Sequence, residues 1–263
     1  MRHVETREQY LANTVEDTRA ARAAIPCVLD VAYGPDPLQK LDIYHPQDGK
    51  KLPVVMDVHG GGWQRGSKDA RGFPATHLVP KGAIWVPIDY RLVHGANLTE
   101  MIGDIRAALA WIYNNIASHG GDPKRITVTG HSAGAQLAAM VLLEGWHADY
   151  GVPGDVVKGG CLISGVYDVH RMAGGLGVSH DEALRYVPHR HPPKDGCPVI
   201  VAWGSQEPME VKLQSRRLAQ IWREADIAMD EIECADDHHF SIGRTLVEEG
   251  SPLNLAFLDM VGL

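Results

Sequence analysis

The chain has 263 residues, 44% of them hydrophobic and 22% charged, an ordinary composition for a globular protein at the upper size for one core. Lys and Arg number 25 against 33 Asp and Glu, and the formal net charge of -8 leaves no cationic surplus for a nucleic-acid backbone or an anionic lipid surface. The longest apolar runs, such as 161–166, fall far short of the roughly 20 residues of a membrane-spanning helix, which excludes a membrane partner of that kind.

Residues 1–22 carry charges throughout and hold no apolar stretch that could act as a secretory signal, which predicts a cytoplasmic protein. Helical composition over 6–24 makes 1–24 a candidate N-terminal cap on a single domain spanning 1–263. Next, 28–33 and 41–44 alternate apolar and polar residues around Gly34-Pro35-Asp36-Pro37, the pattern of an antiparallel hairpin at a sheet edge. The pattern then changes. Segments 54–58, 83–88, 126–129, 160–163 and 199–203 are short apolar runs rich in Val and Ile, as strands buried on both faces require, and 229–234 is the last predicted strand.

Between these runs, 98–117, 133–144 and 211–225 place apolar residues at helical spacing. In the first, Met101, Ile105, Leu109, Ile112 and Ile116 form one stripe, closed by Gly120-Gly121 and Asp122-Pro123. Strands alternating with helices predict an α/β fold, a three-layer α/β/α sandwich around a mostly parallel sheet of about eight strands, with its chemistry in loops after the strands. No repeat or linker-like run divides the chain. Cys27, Cys161, Cys197 and Cys234 are widely spaced and read as reduced core thiols. The His189-Arg190-His191-Pro192-Pro193 stretch has no carboxylate or thiol at ligand spacing, so it reads as a loop; neither metal nor cofactor is expected.

Gly130-His131-Ser132-Ala133-Gly134 stands between a predicted strand and a predicted helix. In that context Gly-x-Ser-x-Gly lifts the serine on a tight turn into a cleft, which makes Ser132 the candidate nucleophile rather than a simple helix cap. His59-Gly60-Gly61-Gly62-Trp63 follows the 54–58 strand. Its glycines can turn N–H groups toward a developing oxyanion, so Gly61, Gly62 and the N–H of Ala133 are the candidate donors. A serine hydroxyl needs a base. Chain order directs attention to Asp236-Asp237-His238-His239-Phe240 after the last strand, where either histidine could serve. The acid should follow the preceding strand, where Glu207 stands; Glu210 reads as a helix-dipole partner and Asp168 is the runner-up acid. Trp63 and Tyr167 are candidate pocket residues. Segments 149–155 and 172–191 join 6–24 as candidate lids.

With these residues placed, the chain resembles α/β-hydrolases of the esterase and lipase group, and among them the arylformamidase (kynurenine formamidase) family. The resemblance runs from Tyr33-Gly34-Pro35-Asp36 and Leu41-Asp42-Ile43-Tyr44 through Asp89-Tyr90-Arg91-Leu92 to the C-terminal loop. It includes the elbow 130–138 and Ser164-Gly165-Val166-Tyr167-Asp168. Glu207-Pro208-Met209-Glu210 fits the acid segment, with Glu207 where the family usually has Asp, and His239-Phe240-Ser241-Ile242 fits the family's His-Phe-x-Ile, which favours His239 over His238. Gly62 stands where the family often has Tyr, as in hormone-sensitive-lipase-type esterases. The resemblance implies a serine hydrolase acting on N-formylkynurenine-like aryl amides, with a short-chain carboxylesterase as the alternative. A small-molecule acyl substrate is the expected partner, and a homodimer stays open. Retention of Ser132, an acid and His239 argues against a non-catalytic ligand-binding role.

Overall fold

The computed structural model describes residues 6–193 and 196–263; the first five residues of the candidate cap 1–24 lie outside them. Among the described residues one sheet contains β1 (Cys27–Ala32), β2 (Lys40–Tyr44), β3 (Leu52–Val58), β4 (Ile84–Ile88), β5 (Gly121–His131), β6 (Val157–Ile163), β7 (Val199–Gly204) and β8 (Met229–Cys234). Their spatial order is β1-β2-β4-β3-β5-β6-β7-β8. All neighbours from β4 to β8 run parallel, and β2 alone runs against both β1 and β4, so the predicted hairpin forms the sheet edge. The helices are α1 (Arg7–Ala24), α2 (Ala75–Leu78), α3 (Leu98–Asn115), α4 (Ala133–Leu142), α5 (His180–Leu184), α6 (Met209–Glu224), α7 (Ile242–Thr245) and α8 (Pro252–Val261). No helix among the described residues is long and apolar enough to cross a membrane.

Strand alternation divides the core into two layers. Val54, Met56 and Val58 of β3, with Val199 and Val201 of β7, meet α3, α4 and α6 on one face. Val55, Ile200 and Ala202 point the other way, toward Ala21 of α1, Leu78 of α2, Ile242 of α7 and Phe257 of α8. The predicted stripe of Met101, Ile105, Leu109, Ile112 and Ile116 is fully buried. Helix α3 is capped by Asn97, whose side chain accepts the Glu100 N–H while the Glu100 carboxylate accepts the Asn97 N–H. Gly120, in the left-handed region, ends the short 3-10 turn that continues it.

Two stretches depart from the sequence reading. Gly121-Asp122-Pro123, expected in a turn, already belongs to β5, because Gly121 pairs with Leu52 and the Leu52 N–H donates to the Gly120 carbonyl. Helix α8 was not foreseen. Its signals are short but present: Ser251 accepts the Asn254 N–H, Pro252 opens the first turn, and Leu253, Phe257 and Val261 recur every four residues on the buried face.

Helix α1 docks through Tyr10, Thr14, Thr18 and Ala21, all buried on one side. The Thr18 hydroxyl accepts the Gly72 N–H, and Arg22 bridges Asp42 of β2 and Asp69. Beneath it, Arg71 donates twice to the Asp57 carboxylate of β3, at 2.7 and 2.8 Å, with Asp57 wholly buried. Arg71→Ala would strand that carboxylate and lower stability by about 3–5 kcal/mol, read as a lower denaturation midpoint. Asp89, just after β4, gives a pH signature: burial pushes its carboxyl up to about 6 although the Lys68 N–H donates to it. The folded chain therefore holds a proton that an unfolded Asp, with a pKa of about 4, has lost, and stability falls as pH rises from about 4 to 6. Asp89→Asn should flatten that part of the stability profile in urea titrations at stepped pH.

Candidate active site

Strand β5 ends at His131, and α4 begins at Ala133, so the turn between them has one residue, Ser132. Its backbone lies at φ 57° and ψ -121°, a conformation that costs an L residue of the order of 1–3 kcal/mol. The Ser132 N–H donates to the Ile163 carbonyl at the end of β6, and the side chain makes no capping bond to α4, so the hydroxyl is left for the cleft. Gly134 permits the turn. A Cβ there would sit 2.1 Å from the Val58 carbonyl oxygen, so only glycine lets α4 approach β3 this closely.

The Ser132 hydroxyl donates to His239 Nε2 at 2.9 Å, and His239 Nδ1–H donates to Glu207 Oε2 at 2.8 Å. The other oxygen, Oε1, accepts the Gly204 N–H at 2.9 Å and the Ser164 hydroxyl. Burial pushes the Glu207 carboxyl up, but the bonds from His239, Gly204 and Ser164 outweigh it and hold it below the ordinary glutamate range. The carboxylate stays charged. Three strand ends thus supply the chain of bonds: β5 carries the serine, β7 leads into Glu207, and β8 leads into the histidine loop.

Of the two candidate histidines, the structure brings His239 to Ser132. His238 turns back on its own loop, where its Nδ1 accepts the N–H groups of Phe240 and Ser241. Asp168, the runner-up acid, faces His189 at 3.4 Å and Arg171 at 3.7 Å, away from this hydrogen-bonded chain. Asp237 is buried and accepts the Ser241 and Thr245 hydroxyls, which ties the histidine loop to α7. Glu210 occupies the first turn of α6, as expected of a helix-dipole partner.

His59-Gly60-Gly61-Gly62 lies against the elbow: a Cβ on Gly60 would come within 3.2 Å of Ser132 Cβ. Gly61 has φ 133°, and a Cβ on it would meet the Arg65 carbonyl at 1.9 Å. His59 anchors this loop from below. Its ring stacks on Tyr90 at 4.4 Å, its Nδ1–H donates to the Gly60 carbonyl, and its own carbonyl accepts the Tyr90 hydroxyl. Burial pushes this imidazole down to about 4, so it is neutral at physiological pH. Ala133 is the first residue of α4, where a helix leaves its N–H groups without intrahelical partners.

These groups open on a cavity of about 390 Å³, whose lining includes Ser132, His239, Gly61, Gly62, Phe240 and Tyr10. Tyr10, Leu11 and Thr14 bring α1 into its wall, whereas 149–155 and 172–191 take no part. Trp63 and Tyr167, expected as pocket residues, do not line it. Trp63 turns into the core at φ 59° with its indole N–H donating to Gln136, and the wholly buried Tyr167 ring covers Gly165. Sequence reasoning missed three contributors. His131 Nε2–H donates to the His239 carbonyl at 2.6 Å, Ser164 holds Glu207, and Phe240 packs edge-on to His239 at 5.4 Å. His131 and Phe240 were visible as sequence neighbours of site residues, while Ser164 had no local signal.

Residues 41–151 match the BD-FAE family model. A kynurenine formamidase of Danio rerio is 32% identical over 256 residues, spanning 93% of this chain and 85% of that relative. Esterase LipQ of Mycobacterium tuberculosis is 30% identical over 244 residues, spanning 82% of this chain and 58% of that relative. Esterase B of Lactobacillus rhamnosis superposes with a TM-score of 0.77 at 21% identity, over 95% of this chain and 91% of that one, a likeness of fold. By sequence kinship and shared fold, the chain is an α/β-hydrolase enzyme acting on esters or amides and belongs to the kynurenine formamidase family.

Proposed function

We propose that this protein is a serine hydrolase that removes the formyl group from an N-formyl arylamine such as N-formylkynurenine. The observation that carries the hydrolytic reading is the hydrogen-bonded chain from Ser132 through His239 to Glu207. Kinship to a kynurenine formamidase over most of both chains supports the substrate, and a cavity of about 390 Å³ accommodates a one-ring amino acid.

In this reading Ser132 Oγ attacks the formyl carbon as His239 Nε2 takes its proton, and Glu207 stabilises the imidazolium that results. The N–H groups of Gly61, Gly62 and Ala133 receive the oxyanion, each worth roughly 3 kcal/mol in the transition state. The proton passes from His239 to the departing aryl nitrogen, the C–N bond breaks, and a formyl ester remains on Ser132. Water, deprotonated by His239, attacks that ester and releases formate with the serine hydroxyl restored. An aniline is a weak base and leaves readily, and the formyl group demands little room on the acyl side. Helix α1 serves as the cap over the cleft within a single-domain chain, holding water and substrate between Tyr10 and the catalytic loop.

One observation favours a second reading. A Cβ at Gly62 would meet nothing within 4 Å, so the room a larger side chain would take is open, as suits a short-chain carboxylesterase with a longer acyl group.

The deciding measurement is kcat/KM for N-formylkynurenine beside p-nitrophenyl acetate and butyrate. Preference for the formamide supports the formamidase; ester turnover without it leaves the carboxylesterase. Ser132→Ala should lower kcat for the preferred substrate by roughly a millionfold. Glu207→Gln, which keeps the shape but favours the wrong imidazole tautomer, should lower it about 10⁴-fold while the thermal midpoint moves little.

A further inference from the structure

Beyond the groups that react, the charge on the cavity wall is one-sided. Its lining holds two arginines, Arg65 and Arg71, and neither Asp nor Glu. Glu207 stands behind His239, and Asp57 stands behind Arg71, which it holds in a two-pronged salt bridge. Arg71 is therefore neutralised from the core side. The other acids around this loop are also engaged: Asp69 by Arg22 and Lys68, and Asp89 by the Lys68 N–H and the Ser67 hydroxyl. Arg65 differs. Among the described residues its side chain has no ion pair or hydrogen bond, and it is exposed at the cavity, in a molecule whose net charge is -8.

The position of Arg65 is set by the loop that carries the oxyanion glycines. The Gln64 N–H donates to the Gly61 carbonyl, and the Arg65 carbonyl lies 1.9 Å from where a Gly61 Cβ would be. Gly66, at φ 103°, then packs so tightly on the loop that a Cβ would meet the Gly60 carbonyl at 2.2 Å. Chain 60–66 thus folds back on itself and holds Arg65 beside Gly61. The rest of the mouth, from Leu11, Tyr10 and Phe240, is largely apolar.

We infer that Arg65 is the receptor for a carboxylate carried on the leaving-group side of the substrate, and that it makes this hydrolase select anionic aryl substrates over neutral ones of the same reactivity. A guanidinium matches a carboxylate with two parallel N–H donors, and no acid in the cavity lining competes for it. Placed beside the oxyanion loop, the contact orients the substrate as well as attracting it. This inference rests on the Ser132 cavity being the catalytic site, but not on the acyl group being formyl.

The test uses a matched pair of esters, 3-acetoxybenzoate and phenyl acetate, with N-formylkynurenine as a third substrate, on wild type, Arg65→Gln and Arg65→Lys. The readout is the ratio of kcat/KM for the anionic over the neutral ester, in which any general damage cancels. Arg65→Gln should lower that ratio about tenfold, mainly through KM, and Arg65→Lys should recover part of it. In the wild type the ratio should also fall as salt rises from 0.02 to 0.5 M, a range chosen to span about 20 to 4 Å of screening length. A ratio in Arg65→Gln within twofold of wild type overturns the inference, whatever happens to N-formylkynurenine. A falling ratio with no turnover of N-formylkynurenine by wild type upholds Arg65 and rejects the formamidase.

Discussion

The backbone of Ser132 is the constraint on which the site depends. A serine at φ 57° and ψ -121° persists only where the surrounding structure leaves no alternative. Here β5 is central, paired on both sides by β3 and β6, and the Ser132 N–H is held by the Ile163 carbonyl. Helix α4 closes the trap from the other direction, because Gly134 lets its first turn sit on the carbonyl oxygens of Val58 and His59. The strain is therefore borne by the most firmly paired part of the sheet. Ser132, the histidine-glycine loop and the first helical N–H groups come together at the carboxyl ends of adjacent parallel strands.

A second organising feature is the way buried charge is kept neutral or paired around that point. His59 is held neutral by burial and fixes the glycine loop, and His131 is held well below the ordinary histidine range chiefly by burial. Neutral His131 donates to the His239 carbonyl, so His239 is gripped through its backbone while its ring bonds to Ser132 and Glu207. On the outer side, Lys68 bridges Asp30 and Asp42, and Arg22 bridges Asp42 and Asp69. These pairs bind the N-terminal helix, the edge hairpin and the 65–71 loop into one wall, and α1 thereby becomes part of the cavity rather than an appendage.

The legible parts of the site were those written in consecutive residues. Gly130 to Gly134 and His59 to Gly62 each need their glycines for a reason confined to one turn, and a local reason leaves a local pattern. Glu207 was accessible through chain order after β7, and His239 through the resemblance alone, since spacing left His238 equal. Trp63 and Tyr167 show the limit of this reasoning. Both follow site-forming strands, yet an aromatic side chain at a strand end can face cleft or core, and the positive φ of Trp63 that decides its direction has no signature in the sequence. Ser164 was hidden for a related reason: its partner Glu207 is 43 residues away.

By itself the sequence determined the alternation of apolar strands and amphipathic helices, the order of the sheet's elements along the chain, and the two glycine turns, because periodicity and turn chemistry act over a few residues. Tertiary structure alone decided that His239 and not its neighbour reaches the serine, that Glu207 is held from behind by Ser164 and Gly204, and that α1 rather than 149–155 or 172–191 walls the cavity. Those outcomes depend on where separate strand ends converge and how helices pack over them. Such distances are set by the whole core, and no segment of the chain carries them alone.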